Sequence, residues 1–242
     1  MSEKPKLSVI LPAYNEGHII KETLDRVDNV VRQTGLGYEI VVVDDGSVDD
    51  TMVWARNYAN NNGHVKVVGY RRNVGKGYAI KTGFQSAKGD AVIFLDSDLD
   101  IDPQSILRYF KALIQGDIVI GSKWHPQSNA EIPLVRRVLS HAFNILVRLL
   151  TGVRLRDTQT GLKAVRKKAL ERVFSRLTVK RYAFDAELLA VANIYGLKIV
   201  EMPVDIRMNG LFNPKEVWRM FVDLLGIAYK LRFLKWYLRA MK

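Results

Sequence analysis

Three aspartates follow one apolar segment at alternate positions. Residues 91–95 have the composition of a buried strand, and Asp96, Asp98 and Asp100 come directly after them. In an extended chain alternate side chains point to the same side, so the sequence predicts three carboxylates facing one another. Carboxylates held this close repel, and a hard divalent cation that also binds phosphate oxygens would relieve the repulsion. The alternative is a solvated, Asp-rich turn at a strand end.

Two earlier apolar segments are also followed directly by polar residues. Residues 7–11 lead into a polar loop that ends at Glu16, and residues 38–43 lead into Asp44 and Asp45. The carboxyl ends of parallel strands share one edge of a sheet, which is where ligands bind in open α/β folds. We therefore expect these polar groups and the three aspartates to converge on one site. The local alternatives are an Asx turn at the two aspartates and a helix N-terminal acid at the glutamate.

The elements that would hold such a site alternate regularly along the chain. Apolar segments typical of buried strands alternate with segments whose apolar residues recur at helical spacing. The predicted fold class is therefore α/β and Rossmann-like, with a mostly parallel sheet flanked by helices. The predicted strands are residues 7–11, 38–43, 65–70, 91–95, 118–121 and 199–204, and the predicted helices include residues 19–31, 78–87, 135–150 and 184–195.

Composition limits the class of protein. The chain has 242 residues, of which 48% are hydrophobic and 26% are charged, enough for one sizeable globular domain. It has no cysteine, which excludes disulfides and thiolate metal sites. The formal net charge of +12 predicts an anionic partner: nucleic acid, a phospholipid surface or a phosphorylated substrate.

The C-terminal segment mixes basic residues with aromatic and aliphatic ones. This pattern, over residues 214–242, is typical of an amphipathic helix lying on an anionic membrane surface. The alternative is a helix packed on the core with a basic outer face. No segment reaches the roughly 18 uncharged apolar residues of a membrane span, and the N-terminus is polar, so we expect neither a spanning helix nor a signal segment.

Four motifs occur in order along the chain: VILPAYNE (residues 9–16), VDDGS (residues 43–47), NVGKG (residues 73–77) and LDSD (residues 95–98). They resemble the motifs of the inverting family-two glycosyltransferases, and the segment DTQTGLK (residues 157–163) resembles the branch that transfers a hexose to dolichyl or polyprenyl phosphate. The resemblance runs from about residue 7 to about residue 232 and implies a GT-A fold, which we expect over residues 1–210. The basic amphipathic pattern predicts membrane-surface helices over residues 211–242.

The resemblance assigns residues to a donor nucleotide sugar and to a metal ion. Asp98 and Asp100 would hold Mg²⁺ or Mn²⁺, which neutralises a departing nucleoside diphosphate, and relatives often carry Gln at the position of Asp100. Lys76, between two glycines, would steady the diphosphate, with a solvated turn as its alternative. The other expected donor contacts are Pro12, Ala13, Tyr14 and Glu16 for the base and ribose pocket, Asp44 and Asp45 for the base and ribose edge, and Asp96 for the ribose or sugar.

The resemblance also implies a lipid monophosphate as the acceptor. Such a phosphate is already an anion near neutral pH, so it needs positioning by cations and no general base. Arg136 and Ser140 match the family's acceptor-phosphate pair, and Lys123 stands where relatives often carry Arg. Asp157 and Gln159 would orient sugar hydroxyls or order the site. The local alternatives are a surface helix for the arginine and a turn acid for the aspartate.

The predicted function is metal-dependent, inverting transfer of a hexose to dolichyl or polyprenyl phosphate. Asp98, Arg136 and Asp157 are the catalytic candidates, and UDP-glucose and GDP-mannose both remain open as donors. The NVGKG motif, the segment AFDAELL (residues 183–189) and the C-terminal tail look more like dolichyl-phosphate glucosyltransferases, although archaeal-type mannosyl relatives share much of this. We expect peripheral attachment to an anionic membrane surface on the cytoplasmic face.

Two other functions remain open from the sequence. Transfer to a sugar or protein hydroxyl would require a base, for which Asp157 is the candidate. A non-catalytic basic protein that binds a membrane or nucleic acid would also explain the net charge. No recognised nucleic-acid-binding motif is present, so we expect no nucleic-acid partner.

Overall fold

The computed structural model describes residues 5–208 and 214–238. Seven strands form one sheet in the order β3-β2-β1-β4-β7-β5-β8, and two short strands form a second, parallel pair. The strands are β1 Leu7–Ala13, β2 Tyr38–Asp44, β3 Val65–Gly69, β4 Ala91–Phe94, β5 Ile118–Ser122, β6 Asn129–Glu131, β7 Lys163–Arg166, β8 Ile199–Pro203 and β9 Asp205–Arg207. The helices are α1 Ile20–Arg32, α2 Thr51–Asn61, α3 Lys76–Ser86, α4 Ser105–Ala112, α5 Leu134–Thr151, α6 Lys167–Phe174, α7 Phe184–Ile194 and α8 Pro214–Arg232.

The predicted mostly parallel sheet is confirmed, and its register brings the polar strand ends together. Ala13 pairs with Asp44 across β1 and β2, and Asp44 pairs with Gly69 across β2 and β3. Phe94, the last residue of β4, pairs with Ile10 of β1. The residues that follow these strands therefore start from the same edge of the sheet.

Both faces of the sheet are buried, which explains why the strands are uniformly apolar. Val41 and Val43 of β2 belong to one core cluster, and Ile40 and Val42 belong to the other. The first cluster is covered by α3, α5, α6, α7 and α8, and the second by α1, α2 and α4. The alternation of side chains along each strand thus fixes two helical layers on one central sheet.

The strand β7 was not predicted, and it is antiparallel to its two neighbours. Lys163 pairs with Phe94 of β4 on one side and with Ile120 of β5 on the other. Because β7 runs in the opposite direction, the loop that precedes it lies at the edge where its neighbours end. This places residues 157–162 beside the carboxyl ends of β4 and β5. A buried lysine at the start of the strand hid it from a search for apolar runs.

We expected the three aspartates after β4 to alternate along an extended chain, but they do not. The strand ends at Phe94, residues 97 and 98 form a turn, and Leu99 has a left-handed φ of 58°. A bulky residue in this region of φ/ψ space is unusual, and it bends the chain sharply. The turn, and not the pleat of a strand, determines where these carboxylates point.

Helix α8 packs on the rest of the protein through one side only. Met220, Leu224 and Ile227 are buried in the same core cluster as α5 and α7, so the alternative of a helix packed on the core holds for this side. The other side exposes apolar residues such as Trp218 and Tyr229. No helix among the described residues is long and apolar enough to cross a membrane. Residues 209–213, where we expect the domain boundary, and residues 239–242 lie outside the described residues.

The buried carboxylate of Glu187 ties the C-terminal segment to the loop before α7. One of its oxygens accepts hydrogen bonds from the Tyr237 hydroxyl (2.6 Å) and the Thr178 hydroxyl (2.7 Å). The other accepts from the backbone N–H groups of Thr178 and Val179, at 2.9 and 2.8 Å. These bonds fix the segment that leads to Arg181 and Tyr182.

Candidate active site

Two adjoining cavities open at the carboxyl edge of the sheet. The first has a volume of about 410 Å³ and the second about 210 Å³. Lys76, Asp96, Asp98 and Tyr182 line both, so they form the junction between the cavities. Of the residues predicted from the sequence, the first cavity also contains Pro12, Ala13, Tyr14, Glu16 and Asp45, and the second also contains Asp100, Lys123, Arg136, Ser140 and Gln159.

Two predicted site residues, Asp44 and Asp157, are buried and line neither of these cavities. Burial raises the pKa of Asp44, and one of its oxygens accepts a weak hydrogen bond from the Ser47 backbone N–H at 3.4 Å. In turn, the Ser47 hydroxyl accepts a hydrogen bond from the backbone N–H of Asn15 at 2.9 Å. Asp44 therefore supports the loop that carries Tyr14 toward the first cavity.

The Asp45 carboxylate holds the glycine-rich loop before α3. It accepts hydrogen bonds from the Tyr70 hydroxyl (2.6 Å), the Asn73 amide (2.9 Å) and the backbone N–H groups of Val74 and Gly75. Gly75 has a φ of 121°, a conformation that only glycine adopts readily. Asp45 thus shapes one wall of the first cavity and directs the start of α3 toward its floor.

Acidic groups crowd the junction of the cavities and raise one another's pKa values. Burial, followed by the charge of Asp98, raises the pKa of Glu16 to about 7, and Asp49, Asp96 and Asp100 add to the effect. Burial and the Asp98 charge raise the pKa of Asp100 to about 6, although Arg136 opposes the shift. Burial and Asp96 raise the pKa of Asp98 in the same way. This cluster has an excess of negative charge that its own cations do not balance.

The acidic cluster fits a hard divalent cation whose coordination is completed by oxygens from a ligand. Within residues 5–208 and 214–238, no three His, Cys, Asp or Glu side chains are grouped so that they would hold a metal by themselves. Asp98 and Asp100 supply hard carboxylate oxygens, which suit Mg²⁺ or Mn²⁺. Ions of this kind commonly bind through one or two carboxylates together with substrate phosphates.

Lys76 is the cation of the junction. Its ammonium lies 2.7 Å from Asp96 Oδ1 and 2.8 Å from Asp96 Oδ2. Burial alone would lower the pKa of Lys76, but the charges of Asp96 and Asp185 outweigh it and raise the pKa. The lysine is therefore charged at neutral pH, in a position to contact an anion in either cavity.

Asp157 forms a buried ion pair under the second cavity. Its Oδ2 lies 2.8 Å from the Lys123 ammonium and accepts hydrogen bonds from the Lys123 backbone N–H and the Thr160 hydroxyl. Its Oδ1 accepts from the Gln159 backbone N–H at 3.0 Å. Burial alone would raise the pKa of Asp157, but Lys123 and the hydrogen bonds lower it. Asp157 is an ionised residue that orders the loop and holds Lys123 in place.

Helix α5 brings cationic and hydroxyl groups to the second cavity. Arg136 and Ser140 are four residues apart on the helix, so their side chains lie on one face, and both line the cavity. Arg136 is close enough to Asp100 to lower its pKa. Met220 of α8 also lines this cavity, which joins the polar site to the two helices that expose apolar residues.

Sequence reasoning missed several residues of the cavities. Arg181, Tyr182 and Glu216 line the first, and Tyr182 and Asp185 line the second. A signal for Asp185 was present, because the segment AFDAELL places two acids in an otherwise apolar helix. Such acids are seldom buried without a partner. Tyr182 and Glu216 gave no comparable signal.

The fold and site define a class of protein. A doubly covered, mostly parallel sheet with an acidic cavity at its carboxyl edge is the architecture of a GT-A glycosyltransferase. Family comparison agrees: the model of glycosyl transferase family 2 matches residues 8–174, and the chain belongs to this family. The protein is therefore a glycosyltransferase, as the motifs predicted.

The chain is also similar to individual curated glycosyltransferases. The chain is 34% identical over 220 residues to human dolichyl-phosphate beta-glucosyltransferase, covering 84% of this chain and 68% of that protein. It is 32% identical over 210 residues to glycosyltransferase AglD of Haloferax volcanii, but it spans only 34% of that protein's length. It is also 32% identical to the undecaprenyl-phosphate 4-deoxy-4-formamido-L-arabinose transferase of Klebsiella pneumoniae, covering 82% of this chain and 59% of that protein.

Solved structures confirm the predicted GT-A fold. The glucosyl-3-phosphoglycerate synthase of Mycobacterium tuberculosis, crystallised with UDP, matches with a TM-score of 0.70 at 22% identity. The match covers 93% of this chain and 79% of that one. The same enzyme has also been crystallised with Mn²⁺ and UDP-glucose, together with phosphoglyceric acid.

The first prediction concerns Gly161, which lies against Asp96. A Cβ added at Gly161 would overlap Asp96 Oδ2, whereas one added at Gly226 in α8 would meet open space. We expect Gly161→Ala to displace Asp96 and to lower the free energy of unfolding by about 1–3 kcal/mol. Gly226→Ala should leave stability unchanged or raise it by about 0.5–1 kcal/mol. Urea denaturation measures both, and equal stability of the Gly161 variant and the native chain would contradict the packing.

The second prediction concerns the raised pKa of Glu16. Its pKa is about 7 in the folded protein against 4.5 as the ordinary value, so the folded state binds more protons between these values. Without metal, stability relative to Glu16→Gln should therefore fall as pH rises from 5 to 8. Urea denaturation at several pH values measures the difference, with Glu171→Gln as an exposed control. A difference that does not change with pH would contradict the acidic cluster.

Proposed function

We propose that this protein transfers a hexose from a nucleotide sugar to a polyprenyl phosphate such as dolichyl phosphate, with inversion at the anomeric carbon. The observation that carries the proposal is the junction of two cavities at Asp96, Asp98 and Lys76. The first cavity has an acidic rim suited to a metal-bound nucleotide. The second contains cations and adjoins helices with exposed apolar residues.

The donor occupies the first cavity in this proposal. The loop from Pro12 to Glu16 lines the base and ribose pocket, and Lys76 contacts the diphosphate. Asp98 at the junction and Asp100 in the adjoining second cavity would hold Mg²⁺ or Mn²⁺, which when bound would neutralise the charge on the departing nucleoside diphosphate. The structural neighbour crystallised with Mn²⁺ and UDP-glucose supports a divalent ion and a donor of this kind.

The acceptor phosphate occupies the second cavity. Lys123, Arg136 and Ser140 position it so that one of its oxygens attacks the anomeric carbon while the nucleoside diphosphate leaves. The phosphate is already anionic, so no side chain has to remove a proton. The names of the human and Klebsiella relatives support a polyprenyl-phosphate acceptor.

The geometry of Asp157 does not support a hydroxyl acceptor. A general base must reach the proton that it removes, with a carboxylate oxygen free to accept it. Both oxygens of Asp157 accept hydrogen bonds from the protein, and the residue lines neither cavity. Asp157 has the features of a residue that positions Lys123 and the loop containing Gln159.

The apolar outer sides of α5 and α8 would place the enzyme at the membrane that contains its acceptor. The two helices pack side by side, and Arg232 of α8 donates a hydrogen bond to the Leu149 carbonyl of α5 at 2.7 Å. Contact with an anionic bilayer would bury this apolar face, and the negative charge of the lipids would attract the basic residues of the two helices. Attachment would be peripheral, and the cytoplasmic face stays a prediction. The exposed apolar residues are Leu134, Val135, Val138, Leu139, Ile145, Leu149, Trp218, Val222, Leu225 and Tyr229.

The names of the relatives indicate which sugar the donor carries. Those named dolichyl-phosphate beta-glucosyltransferases favour glucose, and therefore UDP-glucose over GDP-mannose.

The decisive assay supplies each radiolabelled donor with a short polyprenyl phosphate and Mn²⁺, and measures label in the lipid phase. Transfer from neither donor would refute the proposal.

The third prediction tests the metal ligand within this assay. Asp98→Asn should lower turnover by about a hundredfold or more, because a weaker ligand no longer holds the ion that stabilises the leaving group. Asp50→Asn is the matched control, since Asp50 is exposed and makes no capping hydrogen bond with its side chain. It should change turnover by less than about twofold. Near-native turnover of the Asp98 variant would exclude its role as a metal ligand.

The fourth prediction tests the acceptor phosphate. Arg136→Ala should raise the KM for the polyprenyl phosphate by about tenfold, because a charge-assisted contact is lost. The KM for the donor should change by less than about twofold. Arg56→Ala removes an exposed arginine from α2, which covers the other face of the sheet, and should alter neither constant. Equal increases in both constants for the Arg136 variant would contradict its assignment to the acceptor.

The fifth prediction tests the membrane face. Trp218 of α8 is 65% exposed and Trp54 of α2 is 45% exposed, and α2 covers the other face of the sheet. Trp218→Ser should weaken binding to vesicles that contain anionic phospholipid by about tenfold, whereas Trp54→Ser should not. Sedimentation with the vesicles measures both. Equal effects of the two substitutions would contradict the proposed face.

A further inference from the structure

A buried row of alternating charges leads away from the junction of the cavities. Asp96 pairs with Lys76, and the Lys76 ammonium also lies 3.9 Å from Asp185 Oδ2. The other oxygen of Asp185 lies 2.9 Å from the ammonium of Lys163, which donates a hydrogen bond to the Thr160 carbonyl at 2.6 Å. The Asp185 and Lys163 side chains are 6% and 2% exposed, so these charges are well shielded from water.

The first turns of α3 and α7 are packed so closely that they place Lys76 against Asp185. A Cβ added at Gly77 would overlap Phe184, so the glycine permits the contact. The backbone N–H of Tyr78 donates to the Lys180 carbonyl at 2.9 Å, which joins α3 to the chain that leads into α7. Asp185 lies in the first turn of α7, where the helix dipole favours a negative charge.

Lys163 gives Asp185 a fixed position. Lys163 begins β7 and pairs in register with β4 and β5, so its backbone is held by the sheet. Its side chain is almost completely buried and has Asp185 as its ion-pair partner. The carboxylate is thus anchored on one side by a lysine of the sheet and faces Lys76 with its second oxygen.

We propose that Asp185, anchored by Lys163, is a positioning residue that holds the Lys76 ammonium at the junction of the two cavities. Asp96 alone would let the ammonium follow the movements of one carboxylate that is 29% exposed. A second carboxylate, fixed from behind, restricts the ammonium to the space between them, where the donor diphosphate would pass. The inference rests on the proposed function, because it assumes that the first cavity takes a nucleoside diphosphate.

The test is the binding of UDP and of GDP, each with Mn²⁺, measured by calorimetry. Asp185→Asn should raise the Kd of the nucleotide that the native chain binds by about tenfold, the effect of one misdirected charge-assisted contact. Asp28→Asn is the matched control. Asp28 is also buried and paired with an arginine, but it lies on α1 away from both cavities. It should change the Kd by less than about twofold.

Asp185→Asn also leaves the buried charge of Lys163 without its ion-pair partner, so a loss of binding needs to be separated from a loss of folding. The double variant Lys163→Met with Asp185→Asn removes both charges and should recover the thermal stability lost in the single variant. It should retain the raised Kd, because Lys76 still lacks its second carboxylate. Recovery of stability together with native binding would show a purely structural pair and overturn the proposal.

A double-mutant cycle with Lys76 completes the test. If Asp185 acts through Lys76, Asp185→Asn should change the Kd by less than about twofold in a Lys76→Met background. A tenfold effect in both backgrounds would overturn the positioning role while leaving the proposed function intact. Failure of the native chain to bind either nucleotide would overturn the proposed function and, with it, this inference.

Discussion

The mutual repulsion of carboxylates at the carboxyl edge of the sheet is the constraint on which the site depends. The fold brings Glu16, Asp96, Asp98 and Asp100 together and excludes part of the water that would screen them. Lys76 and Arg136 offset some of the charge, yet the pKa values of Glu16, Asp98 and Asp100 remain raised. A divalent cation would relieve this residual repulsion. The two apolar cores on either side of the sheet stabilise the fold against the repulsion of these acids.

The antiparallel strand β7 allows one sheet edge to border two cavities. Parallel strands alone would bring the ends of β1, β2 and β4 to the edge, and residues that follow these strands line the first cavity. By running the other way, β7 adds the loop containing Thr160 and Gly161 between β4 and β5. That loop contacts Asp96 on one side and Lys123 on the other, and both of these loop residues line the second cavity.

Much of the fold and part of the site could be predicted from the sequence. The first strands and their polar ends were evident because uniformly apolar segments stop abruptly at residues such as Asp44 and Asp96. The conformation after β4 was not, because the left-handed φ of Leu99 has no local signature. Asp157 pairs with Lys123, which is 34 positions away in the sequence, and composition does not predict such a pair. Helix α8 could be interpreted either as packed or as exposed, and its two sides show both arrangements.

In the proposed mechanism, Asp98 and Asp100 hold a divalent cation against the diphosphate of a nucleotide. The most direct measurement is anomalous diffraction from crystals grown with Mn²⁺ and the nucleoside diphosphate that the protein binds. We expect a manganese peak between the two carboxylates, with diphosphate oxygens completing its coordination. Nucleotide density in the first cavity without manganese at that edge, or with manganese bound elsewhere, would contradict it.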